Sequence, residues 1–164
     1  MIKKIILPVL LMFFLTGTID LRSQDSTILE KVSYINSELK ENPFRDTFFE
    51  ITYYYSIDIT PDRELVVHMA FDGPFTTTFK ASLLDLATPS EIDTATEWTS
   101  SICWHCKEGP PGNQVKCIYQ ENLYPEGNTE IIDSDDICIM LPAKSDLRKQ
   151  LIKKIEELVK IVLE

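Results

Sequence analysis

Three of the four cysteines and one of the two histidines lie in a single stretch, CWHCKEGPPGNQVKC, residues 103–117. A C-x-x-C pair can serve thiol redox catalysis, form part of a zinc site or attach haem, and cysteines this close can also form structural disulfides. No other stretch of the sequence holds a comparable cluster of reactive side chains. The compartment of the protein and the elements around the cysteines therefore decide which chemistry applies.

The N-terminus predicts the compartment. MIKK is basic, IILPVLLMFFL is a short apolar run, and TGTIDLRSQ is polar with small residues, which together are typical of a secretory signal peptide. We expect this signal peptide to cover residues 1–24, with cleavage after Ser23 or Gln24, and one domain to cover residues 25–164. The apolar run is too short for a membrane anchor. We therefore expect a secreted or periplasmic protein in an oxidising compartment.

The charge of the chain restricts its partners. The formal net charge of the full sequence is −10 at neutral pH. Nucleic acid phosphates and anionic membrane surfaces repel such a protein. We therefore expect no nucleic acid partner, and a protein or peptide fits the charge better.

Hydrophobic periodicity predicts a helix at each end of the domain. The N-terminal helix begins with a capping box in which Thr27 is the N-cap and Glu30 reaches back to its amide, and Asn42 and Pro43 end it. The C-terminal helix follows Pro142, with Ser145 as its N-cap. Its apolar stripe consists of Leu147, Leu151, Ile155, Leu158 and Val162.

Between the helices, alternating apolar and polar residues predict strands. The clearest is FFEITYYYSIDI, which turns at residues 60–63 into a returning strand from Leu65, and a third strand over FTTTFKASL completes a meander. Further strands are expected at residues 98–107, 114–120 and 136–141, with a weak one at 129–133, whereas residues 85–97 read as a connection. The fold class is therefore α+β, a bent antiparallel sheet or barrel of six to seven strands with a C-terminal helix that covers it.

This order of elements resembles a pleckstrin-homology-like (PH-like) domain, and more narrowly the small exported bacterial PH-like proteins of unknown function. The resemblance rests on TILEKVSYINSELKENP, EITYYYSIDI, DGPFTTTFKASLLDL, the CKEG to KCI segment and the closing helix. It implies a fold and no activity. Phosphoinositide-binding PH domains place Lys and Arg around the first hairpin loop, which here contains Arg63 among Asp58, Asp62 and Glu64. We therefore expect no phosphoinositide binding.

The residues around the C-x-x-C pair do not favour redox, metal or haem chemistry. A redox C-x-x-C stands at a helix N-terminus, but KEGPPG with its two prolines and two glycines follows and cannot continue a helix. Structural zinc sites present two paired ligand sets, whereas Cys117 and Cys138 are isolated. Haem attachment usually needs C-x-x-C-H, and position 107 is lysine. CWHCK resembles the lysine variant of this motif in multihaem nitrite reductases, but the other haem motifs of that family are absent from the sequence. We expect no cofactor.

A structural disulfide is the remaining interpretation. If PPGN centres a hairpin turn, Cys106 lies directly opposite Cys117, at a spacing that a disulfide can bridge. Cys103 cannot bond Cys106, because three residues of extended strand separate them by about 10 Å. Cys103 is then left to pair with Cys138 or to remain free.

The other polar candidates are weak. His68 and His105 have no paired carboxylate or serine at a catalytic spacing, and Trp104 is expected to pack in the core beside the bridge. We therefore predict an exported, non-catalytic binding or scaffold module for a protein or peptide. The alternative is a thiol redox or metal-binding protein that uses CWHC.

Overall fold

The computed structural model describes residues 25–93, 100–108, 115–141 and 145–164. The predicted signal peptide and the predicted turn at PPGN lie outside these residues. Within these residues the chain forms helix α1 (residues 25–41), nine strands and helix α2 (Ser145–Leu163). The strands are β1 (Phe44–Asp46), β2 (Ile51–Ile59), β3 (Glu64–Phe71), β4 (Thr76–Ser82), β5 (Ser90–Asp93), β6 (Ser100–His105), β7 (Ile118–Leu123), β8 (Thr129–Ser134) and β9 (Asp136–Leu141).

Six strands form the larger sheet, in the order β1-β2-β3-β4-β7-β8 with every pair antiparallel. Strands β2, β3 and β4 make the predicted meander, in register from Tyr53 opposite Phe71 to Ile59 opposite Leu65. The predicted α+β class, a bent antiparallel sheet with a helix before it and a helix after it, is therefore confirmed.

A second sheet holds three strands, in the order β5-β6-β9. Strand β5 lies in the segment 85–97, which was predicted to be a connection between strands. This prediction is wrong for Ser90–Asp93, which form a strand. The short strand lacks an alternating pattern of its own and is held by its ladder with β6, from Ser90 opposite Cys103 to Asp93 opposite Ser100.

The predicted hairpin between the strands on either side of PPGN is also wrong. Strand β6 pairs with β5 and β9, whereas β7 pairs with β4 and β8 in the larger sheet. The two strands that are neighbours in the sequence thus belong to different sheets. The second strand also begins later than predicted, at Ile118.

The two sheets are joined where β8 becomes β9. One residue, Asp135, separates the end of β8 at Ser134 from the start of β9 at Asp136. The carbonyl of Asp135 accepts a hydrogen bond of 2.9 Å from the amide of Cys106. A nearly continuous run of extended chain therefore leaves one sheet and enters the other.

The core lies between the sheets and the two helices. Four residues of the stripe predicted for α2 are buried in it, Leu151, Ile155, Leu158 and Val162, and so are Ile35 and Leu39 of α1, while Leu147 of the predicted stripe is partly buried. Burial of these apolar side chains supplies the main driving force for docking the helices. The fully buried side chains of the sheets in the same cluster are Ile57, Leu65, Val67, Ile102, Trp104, Ile118, Ile137, Ile139 and Leu141.

Two polar contacts place helix α1. Lys31 Nζ donates a 2.8 Å hydrogen bond to Glu157 Oε2 of α2. This bond, with a second one from Lys154, holds the pKa of Glu157 below its ordinary value. Its contribution to stability is present above the ordinary pKa of glutamate and is lost as the pH falls through the lowered value.

Neither described helix has both the length and the apolar composition that crossing a bilayer requires.

The second contact ties α1 to the sheet. Asn36 Nδ2 donates to the carbonyl of Ile57 at 2.9 Å, and the amide of Ile57 donates to Asn36 Oδ1 at 2.8 Å. Strand β1 pairs with residues 51–53 of β2 and does not reach Ile57. The side-chain amide of Asn36 therefore hydrogen-bonds the backbone of β2 there, as a neighbouring strand would.

The variant Asn36→Ala should lower the free energy of unfolding by about 1 to 3 kcal/mol, because it leaves the amide and the carbonyl of Ile57 without their partner. Urea unfolding monitored by circular dichroism measures the change. The exposed neighbour Ser37 supplies the control, since Ser37→Ala makes a similar gain in helix propensity without breaking this contact. Equal stability of the two variants would contradict the assigned role of Asn36.

Candidate functional site

The C-x-x-C pair lies at the end of β6, and its first cysteine is bonded across the smaller sheet. Cys103 is buried and faces Cys138 of β9 in register, with the two Cα atoms 4.2 Å apart and a disulfide between them. Such close Cα atoms are typical of the non-hydrogen-bonded pairs of an antiparallel ladder. The disulfide therefore locks the register of β6 against β9.

The second cysteine of the pair joins the two sheets. Cys106 directly follows β6 and makes an isolated bridge with Leu86, while Cys117 directly precedes β7. Their Cα atoms are 5.7 Å apart and their sulfurs are bonded. This is the pair that the sequence favoured, but the expected cause, a hairpin, is absent. The disulfide instead connects the end of one sheet to the start of a strand in the other.

These bonds decide what the C-x-x-C motif can do in this structure. Its two sulfurs bond different partners, so the motif does not form the internal disulfide that a thiol oxidoreductase uses. All four cysteines of the sequence are bonded, and none is a free thiol. Among the described residues, no group of three or more His, Cys, Asp and Glu side chains is placed to hold a metal ion. Disulfides form and persist in oxidising compartments, as the predicted export requires.

The two histidines lie on different sheets and are not brought together. His68 is exposed on β3, where its Nδ1 lies 3.0 Å from Thr78 Oγ1 of β4. His105 is exposed at the end of β6, in register with Asp136. Trp104 between the two cysteines is fully buried, as core packing requires. None of these residues forms part of a catalytic arrangement with another.

The edge strand β8 is a further candidate surface, for which no role was predicted. Within the described residues β8 pairs with β7 alone, and all its positions from Thr129 to Asp133 are exposed. Ile131 is 59% exposed and Ile132 is 39% exposed, and since they are consecutive in a strand they point to opposite faces of the sheet. The sequence TEIIDS was a signal for this strand, because its two adjacent isoleucines place apolar side chains on both faces. A strand with one buried face instead alternates apolar and polar residues.

Apolar side chains of β7 extend this surface. Ile131 lies opposite Glu121 and is therefore diagonal to Tyr119 and Leu123 on the same face. Tyr119 is 38% exposed and Leu123 is 43% exposed. We call Tyr119, Leu123 and Ile131 the edge patch, and Ile132 lies on the opposite face.

A polar network on the core-facing side supports the base of this edge. Thr77 Oγ1 donates a 2.9 Å hydrogen bond to Asn122 Oδ1, which also accepts one of 3.0 Å from Gln120 Nε2. Tyr124 donates to Glu130 Oε2 of β8 at 2.7 Å, and this bond is the main cause that raises the pKa of Tyr124 above its ordinary value. Strand β8 is thus held by its ladder and by polar side chains rather than by burial.

Comparison with protein-family models, with curated proteins and with solved structures gives no match to this chain. Its function must therefore be inferred from its own surfaces.

Removing either disulfide should destabilise the fold by roughly 2 to 5 kcal/mol, because each closes a loop that the unfolded chain would otherwise leave open. The pair Cys103→Ser/Cys138→Ser should cost more than Cys106→Ser/Cys117→Ser, since the residues it joins are 35 rather than 11 positions apart. Urea unfolding of the two double variants measures both effects. Peptide mapping of the unreduced protein should recover the same two cross-linked pairs, and alkylation of any cysteine before reduction would contradict the assignment.

Proposed function

We propose that this protein is an exported, non-catalytic binding module that accepts an extended segment of a protein partner along the edge of β8. The observation that carries the proposal is the edge strand itself, which is six residues long and exposed and has isoleucine on both faces. Addition of a strand to an exposed sheet edge is a common mode of peptide recognition.

The backbone of β8 supplies the affinity in this mode. A strand that pairs on one side directs the amides and carbonyls of alternate residues outward on the other side. Within the described residues β7 takes one side of β8, so an incoming strand can take the other. Side chains of the incoming strand would then pack beside Ile131 on one face and Ile132 on the other.

The charges of β8 define the partner. Glu130 and Asp133 lie on either side of the two isoleucines, and Glu121 lies opposite Ile131 on β7. Lys80 of β4 is the nearest cation on that face in register, opposite Tyr119. An incoming antiparallel strand with Lys or Arg opposite Glu130 and Asp133, and with β-branched residues between them, would match both the charge and the apolar pair.

The same charges disfavour a second copy at this edge. If two β8 strands pair antiparallel about the bond between Ile131 and Ile132, Glu130 faces the partner's Asp133. Like charges directly opposite each other destabilise a strand pair. These charges therefore disfavour pairing between the β8 edges of two copies. Natural proteins use charges on edge strands in this way to avoid edge-to-edge aggregation.

The alternative of a thiol redox or metal-binding protein has no observation in its favour. Redox catalysis by CWHC uses its two cysteines as free thiols or as a disulfide between them, and metal binding uses them as thiolates, but each sulfur of CWHC is bonded to a cysteine outside the motif. The expected lack of binding to nucleic acid and to phosphoinositides remains a prediction from the acidic charge.

Two blocked hexapeptides test the proposal. Thr-Lys-Val-Val-Lys-Thr places its lysines opposite Asp133 and Glu130 in an antiparallel pairing with TEIIDS, and Thr-Glu-Val-Val-Glu-Thr places glutamates there. The lysine peptide makes two attractive charge pairs with the edge, whereas the glutamate peptide makes two repulsive ones. We therefore expect the lysine peptide to bind with an affinity about tenfold higher or more. NMR titration measures both affinities, and the amides of β8 should show the largest shifts and slower hydrogen exchange.

A charge variant gives the matched control. Asp133→Lys should reduce the preference for the lysine peptide by severalfold, whereas Asp62→Lys, an equal change of charge at the exposed β2–β3 turn, should leave it nearly unchanged. Absence of any shift in β8 at millimolar peptide, or equal affinity for the two peptides, would refute strand addition at this edge.

A further inference from the structure

Two adjacent phenylalanines are exposed at the turn between β1 and β2. Phe48 is 85% exposed and Phe49 is 65% exposed, and their rings meet edge to face with centroids 4.8 Å apart. Burying a phenylalanine that is otherwise exposed removes a large apolar surface from water and is therefore favourable. A pair left in water is therefore a site from which binding energy can be obtained, and we call Phe48 and Phe49 the aromatic knob.

The turn holds the knob in a fixed position. Asp46 Oδ1 accepts hydrogen bonds from the amides of Phe48 at 2.8 Å and Phe49 at 3.0 Å. The backbone then enters β2 through Glu50, which has a φ of 56°. The backbone that carries the two rings is thus ordered, so little backbone conformational entropy remains to be lost on binding.

An apolar pocket lies at the opposite end of the same strand. It has a volume of about 380 Å³ and lies between α1, the β2–β3 turn and the end of α2. Its apolar walls are Ile28, Leu29, Ile59, Pro61 and Val162, and its polar rim is formed by Asp25, Thr60 and Arg63.

The pocket has the right size for the knob. A cavity of roughly 150 Å³ is enough to bind one benzene ring. A volume of about 380 Å³ therefore offers room for two phenyl rings. Leu29 in the wall is 66% exposed, so the pocket itself also has apolar surface to bury.

The knob of one molecule cannot reach the pocket of the same molecule. The knob directly precedes β2 and the pocket lies at its other end, so the nine residues of the strand separate them by about 27 Å. A contact between these two surfaces therefore joins different copies.

Both surfaces carry charges of both signs. Glu50 and Arg45 are exposed beside the knob, while Arg63 and Asp25 stand at the pocket rim. Opposite charges meet if Glu50 pairs with Arg63 and Arg45 with Asp25 when the rings enter the pocket.

We propose that this protein associates head to tail, with the aromatic knob of one copy in the apolar pocket of the next. The two contacting surfaces are different, so the contact is heterologous and leads to open chains or closed rings rather than to a simple two-fold dimer. The edge of β8 takes no part in the contact and stays accessible to the extended partner.

Complementary variants test the proposal. Phe48→Ser/Phe49→Ser removes the knob and leaves the pocket, whereas Leu29→Glu places a charge in the pocket wall and leaves the knob. All four substituted side chains, including that of the control Leu84→Ser, are exposed, so the fold should persist, as circular dichroism can verify. The measurement is sedimentation velocity from micromolar to near-millimolar protein, on chains expressed with residues 1–24 in place so that their own processing occurs.

The wild type and Leu84→Ser should grow in average mass with concentration, while each of the two test variants alone stays monomeric. An equimolar mixture of the two test variants should form a heterodimer and nothing larger, because it contains one intact knob and one intact pocket. A wild type that stays monomeric throughout, test variants that associate like the wild type, or a mixture that does not associate would each overturn the proposal.

Discussion

The junction between the two sheets is the constraint on which the rest of the structure depends. Extended chain passes from β8 into β9 with Asp135 as the one residue between them. At the same place the amide of Cys106 donates to the carbonyl of Asp135, and Cys106 is bonded to Cys117 at the start of β7. A backbone hydrogen bond and a covalent bond thus converge where the sheets meet, and they hold the sheets in the orientation that encloses the core.

This junction explains why β8 is exposed. Its continuation β9 is drawn into the core, where Ile137, Ile139 and Leu141 are fully buried. Strand β8 itself lies at the far edge of the larger sheet, beyond the residues that the helices cover. The network of Thr77, Gln120, Asn122 and Glu130 keeps it in register without an apolar layer on either face. The edge that we propose for partner binding is therefore a consequence of how the two sheets are connected.

The cysteines have a structural role, because their two disulfides hold the strands and the sheets together. Cys103 lies in β6 and Cys106 directly follows it, and their sulfurs bond different partners, Cys138 and Cys117. One bond maintains a ladder within the smaller sheet and the other maintains the contact between sheets. Their place in the sequence suggested reactive chemistry, whereas the oxidising compartment predicted from the leader favours cross-links.

Local patterns in the sequence determined much of this fold. The alternation in EITYYYSIDI and in the two strands that follow it determined the meander, because neighbouring strands joined by tight turns need no distant partner. The stripe from Leu151 to Val162 determined the buried face of α2 in the same way. The sequence also favoured a disulfide between Cys106 and Cys117, although hairpin geometry was the wrong reason for it, and it left Cys103 either to pair with Cys138 or to remain free.

Only the tertiary structure decided which strands pair at long range. Periodicity shows which side chains share a face, but it does not specify the neighbour of a strand, so β6 could not be assigned to β9 rather than to β7. Strand β5 has no alternating pattern, and it forms because its backbone pairs with that of β6. The edge patch, the aromatic knob and the apolar pocket depend on which surfaces remain uncovered after all elements have packed. That property belongs to the assembled chain and not to any segment of it.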